Sequence, residues 1–200
     1  MVLLNIYKRL LSTSFSSSSS SPIPQSSSVI LVIAPRHFEK ADAIEANIKA
    51  AGFKCVRRSR GEGRETEDER REKGRETQDG KTVFLADTTG ELMGLYGIAD
   101  VVFVGKSLCA HGSQNMIEPC LCGKPTFVGP YTENFRPVMS DLLASDAIVQ
   151  VKDADELEEK IRMCLGGSGG FDDLGARAKA AVVKRLGVVA KCVREIREVL

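Results

Sequence analysis

From Val29 onward, short apolar runs alternate with amphipathic stretches at regular intervals. VILVIAP (29–35) is a continuous β-branched run, the pattern of a parallel strand buried on both faces. In EKADAIEANIKAAG the apolar positions Ala41, Ile44, Ile48 and Ala51 recur at helical spacing, and Gly52 stands where a C-cap glycine belongs. FKCVRR then reads as a second strand. The rhythm resumes at Lys81 with strand TVFLA, helix ELMGLYGIA, strand VVFVG, a helix around MIEPCLCG and strand TFVG. Helix RPVMSDLLAS, strand AIVQV and helix DADELEEKIRMCLGG follow, the last opened by the capping-box pair Asp153 and Glu156. A final helix is expected over most of residues 172–200. Strands alternating with helices predict an α/β fold: a doubly wound, parallel, Rossmann-like sheet with right-handed crossovers.

Two stretches break the pattern. Residues 57–81 are nearly all charge of mixed sign, with too little apolar surface to fold alone, and are expected to form a solvated insertion. Residues 1–28 are rich in serine, carry Lys8 and Arg9, and lack acids entirely; the first carboxylate of the chain is Glu39. Residues 3–11 can form a short amphipathic helix with Leu3, Leu4, Tyr7, Leu10 and Leu11 on one side. This is the composition of an organelle transit peptide, so residues 1–28 are expected to be a disordered tail outside the fold, leaving a domain over 29–200. The location it predicts is mitochondrial, with plastid, or cytosol if the tail carries no address, as alternatives.

Composition narrows the function. The chain has 200 residues, enough for one domain of ordinary size. With 28 Lys and Arg against 27 Asp and Glu, it lacks the basic excess of a nucleic-acid-binding domain. No apolar run reaches the roughly 18 residues of a membrane span, which leaves peripheral membrane association open. The six cysteines fit no zinc spacing, and the two histidines, His37 and His111, are not paired at ligand spacing, so no metal or cofactor is expected. The thiols are expected to be free, in a reducing compartment.

Ligands of doubly wound sheets bind at the carboxyl ends of the strands. Four segments fall there: APRHF, DTTGEL, GKSLCAHGSQNMIEP and GPYTENF. Arg36 offers a planar fork of donors suited to a phosphate or carboxylate. Two glycine-bearing loops, each opening a helix, expose N–H groups to an anion. Glu118, near the start of its helix, could accept from two vicinal ribose hydroxyls. Together these describe a nucleotide cradle. Each residue also has an ordinary alternative: a surface salt bridge for Arg36, a dipole-favoured acid for Glu118, and a solvent-facing or packing role for His37 and His111. The chain has no Ser-His-Asp order, no Walker lysine loop and no GxGxxG after the first strand, which argues against hydrolases, P-loop enzymes and NAD dehydrogenases.

In order and at matching spacing, APRH (34–37), DTTGELMGLYGIADVVFVGKSL (87–108), NMIEP (115–119) and GKPTFVGPYTENF (123–135) resemble one family. It is the carboxyl-terminal half of the 3-deoxy-D-manno-octulosonic acid (Kdo) transferases, glycosyltransferases of the GT-B fold. The resemblance covers roughly residues 29–165. It implies a metal-free transfer of Kdo from CMP-Kdo to a lipid A precursor, and the family's plant members are organellar. By motif, it implies that Arg36 holds the CMP phosphate and that Gly90, Glu91, Leu92 and Met93 line the nucleotide pocket. It implies contacts from Ser107, Asn115 and Glu118 to the phosphate or sugar and the ribose.

The chain departs from the family at two loops. Gly105-Lys106-Ser107 stands where the family usually has Gly-Gly-Ser, and Gly112-Ser113-Gln114-Asn115 where it has Gly-Gly-His-Asn. A side chain at Lys106 or Ser113 works against a positive φ or a close backbone approach to phosphate. The family's catalytic glutamate and acceptor site lie in an amino-terminal domain for which this chain has no room. No catalytic residue is therefore expected here, and a truncated product that binds CMP weakly without transferring sugar alone is the expectation. The alternatives are a fragment of a UDP-sugar GT-B enzyme, or a degenerate nucleotide-binding or interaction module.

Overall fold

The computed structural model describes residues 2–13, 29–60 and 81–185. The order is α1 (Val2–Thr13), β1 (Leu31–Ile33), α2 (Ala41–Ala50), β2 (Lys54–Arg57), β3 (Thr82–Leu85), α3 (Leu92–Ile98), β4 (Val102–Val104) and α4 (Ile117–Leu121). Then follow β5 (Thr126–Val128), α5 (Arg136–Ala144), β6 (Val149–Gln150), α6 (Ala154–Leu165) and α7 (Leu174–Val183). The class is α/β with parallel strands, as the alternating pattern predicts. The strands are divided between two three-stranded sheets, ordered β1-β3-β2 and β4-β5-β6, in compact units Met1–Leu92 and Met93–Leu200.

In the first unit β3 is central, parallel to β1 (Leu31↔Val83, Ile33↔Leu85) and to β2 (Cys55↔Val83, Arg57↔Leu85). Leu31, Ile33, Val83 and Leu85 therefore share one face, and Val83 and Leu85 are fully buried in a cluster with Ala41, Ile48 and Phe53. β1 is shorter than its apolar run. It pairs only with the four-residue β3, and Pro35 has no N–H to extend the ladder. Burial on both faces is not what the structure shows: β1 is an edge strand and Val32 is 41% exposed. Gly52 ends α2 as expected, with φ +89°, Phe53 N–H donating to Ile48 O and Gly52 N–H to Lys49 O.

The amino-terminal residues require a correction. Residues 2–13 are not a tail outside the fold: α1 buries Leu4 and Tyr7 in the same cluster as Val83 and Leu85, and Leu10 is also buried. The Tyr7 ring lies 5.2 Å from that of Phe53, and its hydroxyl donates to Val29 O (2.9 Å) and Thr82 O (3.3 Å). The apolar stripe that suggests a targeting helix is also what a helix needs to cover a sheet face, and each such side chain gains about 1.5 to 3 kcal/mol on burial. Residues 14–28 lie outside the described residues, as do 61–80 of the expected charged insertion. Its start also moves, because Arg57 belongs to β2 and Arg58–Arg60 form a 3-10 turn.

In the second unit β5 is central and wholly buried, parallel to β4 (Phe103↔Phe127) and β6 (Val128↔Gln150). Met116, Cys120, Val128, Met139, Leu142, Ala178 and Val182 form the core around it. Asp153 caps α6 by accepting from Glu156 N–H at 2.9 Å, while the Glu156 carboxylate accepts from Lys152 N–H. α7 crosses the turn after α4 so closely that a Cβ on Gly175 would lie 2.0 Å from Gly123 O, a place only glycine can occupy. Of the expected final helix, α7 forms Leu174–Val183 and ends in a turn at Lys184 and Arg185; residues 186–200 lie outside the described ones.

Candidate functional site

The carboxyl ends of the strands carry the candidate residues in each unit. In the first, β1 and β3 run parallel and in register, so Arg36 and Thr88, each three residues past a paired position, leave the sheet on one rim. Arg36 is exposed and has no ion-pair partner among the described residues, so the ordinary salt bridge does not account for it. His37 is exposed, 3.9 Å from the Glu39 carboxylate, in keeping with the solvent-facing role. Gly90 has φ +85° and is exposed, as is Leu92 after it.

Glu91 is already engaged. Arg58 forks onto its carboxylate through Nε (3.1 Å) and Nη2 (2.9 Å), and the Thr88 hydroxyl donates to it. Arg58, and then Thr88, lower its pKa. Glu91 thus fixes its loop within the first unit.

A second ionic cluster at this rim escapes motif reading. Asp87, its side chain 1% exposed, accepts from Arg57 Nε (2.7 Å), Ser59 N–H (2.9 Å) and the Ser59 hydroxyl (2.6 Å). Burial pushes the Asp87 pKa up, but the Ser59 donors and Arg57 outweigh it and hold the carboxyl well below the usual range. Arg57 also donates to Asp42 and to Glu45. Glu45 is drawn down to about 2 by Lys49, against burial, with help from Arg57 and Arg60. The signal in the sequence was limited to an acid two residues past a buried strand and a basic pair at the end of another strand; the register sets Arg57 opposite Leu85, two residues before Asp87.

In the second unit the loop after β4 is closed at its base by Gln114 N–H donating to Gly105 O (3.3 Å). Ser107 is engaged within the fold. It is fully buried, its hydroxyl donates to Val104 O (2.7 Å) and accepts from Gly129 N–H (2.8 Å), and its carbonyl accepts from Tyr131 N–H. The side chain thus forms a structural tie between the ends of β4 and β5. Gly129 is part of the same joint, since a Cβ there would lie 2.3 Å from Ser107 O.

The outer part of the loop is clamped to residues 133–134. His111 Nδ1 lies 2.8 Å from Glu133 Oε1, Gly112 N–H donates to Glu133 Oε2 (2.9 Å), and Ser113 N–H donates to Asn134 Oδ1 (2.8 Å). Asn134 Nδ2 returns a bond to Ser113 O. The backbone N–H of Glu133 itself, His111 and Gly112 N–H bring the Glu133 pKa to about 2. His111 also packs 4.9 Å from the Tyr131 ring, so its role is pairing and packing.

Asn115 and Glu118 come together at the start of α4. Asn115 Oδ1 accepts from Ile117 N–H and its Nδ2 donates to Glu118 Oε1, both at 2.9 Å. Glu118 is thereby oriented, and its Oε2 has no hydrogen-bond partner among the described residues. Tyr96 lies near enough that burial, followed by the Glu118 and Cys122 charges, raises its pKa to about 12. An oriented carboxylate with one oxygen to spare is suited to accepting from hydroxyls of a sugar. Met93 is 47% exposed.

Comparisons with known proteins agree with the motif series. The chain is 38% identical over 125 residues to the 3-deoxy-D-manno-octulosonic acid transferase of Bordetella pertussis, covering 62% of this chain and 26% of that protein. It is 29% identical over 164 residues to the Haemophilus influenzae protein of the same name, covering 82% and 35%. Among solved structures, the C-terminal CMP-Kdo binding domain of WaaA from Acinetobacter baumannii matches with a TM-score of 0.64 and 28% identity, over 76% of this chain and 73% of that one. No protein-family model matches. The chain spans about a quarter to a third of the length of the transferases it matches. It resembles the carboxyl-terminal, nucleotide-sugar-binding part of the Kdo transferases.

Proposed function

We propose, from the kinship of this chain with the carboxyl-terminal half of the Kdo transferases, that it binds CMP and CMP-Kdo and supplies the donor side of a glycosyl transfer. The observation that carries this is the Asn115–Glu118 pair at the start of α4, with Glu118 Oε2 unbonded among the described residues and so placed to accept from ribose hydroxyls. The motif resemblance assigns Arg36 to the donor phosphate and Gly90, Leu92 and Met93 to the nucleotide; Arg36, Gly90 and Leu92 are exposed in the first unit and Met93 in the second. Ser107 and Glu91 act indirectly, by holding their loops.

Transfer also needs a base on the acceptor hydroxyl, positioned against the donor carbon. None of the candidate residues has that role, so we assign the base and the lipid A precursor to an acceptor-binding partner domain, in a lipid A type of biosynthesis. No helix among the described residues is long and apolar enough to cross a membrane. Association with a membrane surface would come with the acceptor. The mitochondrial address proposed for residues 1–28 requires α1 to leave its sheet during import. A fluorescent fusion of residues 1–28 tests it, and a fusion that stays cytosolic overturns it.

The nucleotide is tested by titrating the chain with CMP and with UDP. Binding of CMP in preference to UDP is expected; binding of UDP but not CMP overturns the donor assignment in favour of a UDP-sugar enzyme fragment.

A further inference from the structure

Lys106 is one of two non-glycine residues with positive φ among the described residues, at +71°. It follows Gly105, at the carboxyl end of β4. A left-handed conformation costs a side-chain-bearing residue free energy that glycine avoids, and such outliers persist where the surroundings impose them, often at binding sites. Here the imposing surroundings are visible. Ser107 is locked between Val104 O and Gly129 N–H, and Lys106 O accepts from both Cys109 and Ala110 N–H. The backbone before Ser107 must turn whatever residue occupies position 106.

The side chain is exposed, and its Nζ reaches over the loop, 3.6 Å from where a Cβ on Gly112 would lie. It has no ion-pair partner among the described residues, because the nearby Glu133 has one oxygen on His111 and the other on Gly112 N–H. The Lys106 N–H also donates to no acceptor among them. The bond from Gln114 N–H to Gly105 O closes the loop that begins at Lys106, and Asn115 and Glu118 follow directly after the closure, so the cation and the Asn115–Glu118 pair belong to one loop and its exit.

Resting on the donor-site reading above, we propose that Lys106 supplies the cation that contacts the nucleotide's phosphate on this loop, replacing close backbone approach with an ionic contact. A charge-assisted contact adapts to a phosphate held further from the backbone than two glycines would hold it. The price in backbone strain is specific to position 106, which makes the two effects separable.

The test is calorimetric titration of the full chain and of Lys106→Gly, Lys106→Gln and Lys106→Arg with CMP and with cytidine, alongside thermal unfolding. Lys106→Gly and Lys106→Gln should weaken CMP binding about tenfold or more while leaving cytidine unchanged. Lys106→Arg should retain most of the CMP affinity. Lys106→Gly alone should also unfold about 1 to 4 °C higher than the parent, because glycine relieves the strain. CMP binding no tighter than cytidine in the parent, or unchanged in both uncharged variants, overturns the role of Lys106 while leaving the nucleoside site standing. A parent chain that binds neither ligand overturns the site and the role together.

Discussion

The Ser107 hydroxyl receives the Gly129 N–H at 2.8 Å, in a joint with no solvent exposure, and so ties the end of β4 to the end of β5. The serine of the Gly105-Lys106-Ser107 turn holds the loop in place. Replacing it with alanine leaves a buried N–H without an acceptor, at a cost of about 1 to 3 kcal/mol. Chemical denaturation of Ser107→Ala should show that loss, while any affinity for CMP should fall less than for a change at Glu118. A variant of unchanged stability would show that the joint is not needed.

Asp87 gives the first unit an acid-sensitive lock. Its pKa in the folded chain lies below the ordinary value of about 3.9, so the stabilisation is fully present above that value. It is lost as pH falls through the folded value. Asp87→Asn should therefore be most destabilising at neutral pH, by about 3 kcal/mol if the buried pair with Arg57 behaves as others do. The gap between parent and variant should narrow towards pH 2. Unfolding curves at several pH values would check this, and a gap independent of pH would contradict it.

Because α1 packs in the core of the first unit, Tyr7→Phe should cost about 1 kcal/mol through the lost bonds to Val29 O and Thr82 O. Leu4→Ala should cost more, about 2 to 5 kcal/mol. Thermal unfolding measures both, and hydrogen exchange of Val83 and Leu85 should rise in the leucine variant. A chain indifferent to both changes would return α1 to the status of an appendage.

Much of this was legible because buried strands and amphipathic helices carry their periodicity in a few residues. The runs at 82–85 and 126–128, the Gly52 stop and the Asp153 cap all sit where the pattern puts them. The division into two sheets was not legible, because strand pairing is a relation between distant segments. The packing of helix α1 was not legible because one apolar stripe serves either a targeting helix or a sheet cover. At the candidate site, Glu118 and its approach from Asn115 follow from three-residue spacing at a helix start. Ser107 and Glu91 could not be separated from ligand contacts by motif alone. Their partners Gly129 and Arg58 lie 22 and 33 residues away, and only folding shows that their polar atoms are engaged.

The central claim is that this chain holds a cytidine nucleotide through Glu118. Calorimetric titration with CMP of the parent and of Glu118→Ala measures it most directly. Loss of hydrogen bonds from ribose hydroxyls to a carboxylate should weaken binding by roughly 10- to 100-fold, with unfolding temperature little changed. CMP binding of equal strength in the two proteins would contradict the account.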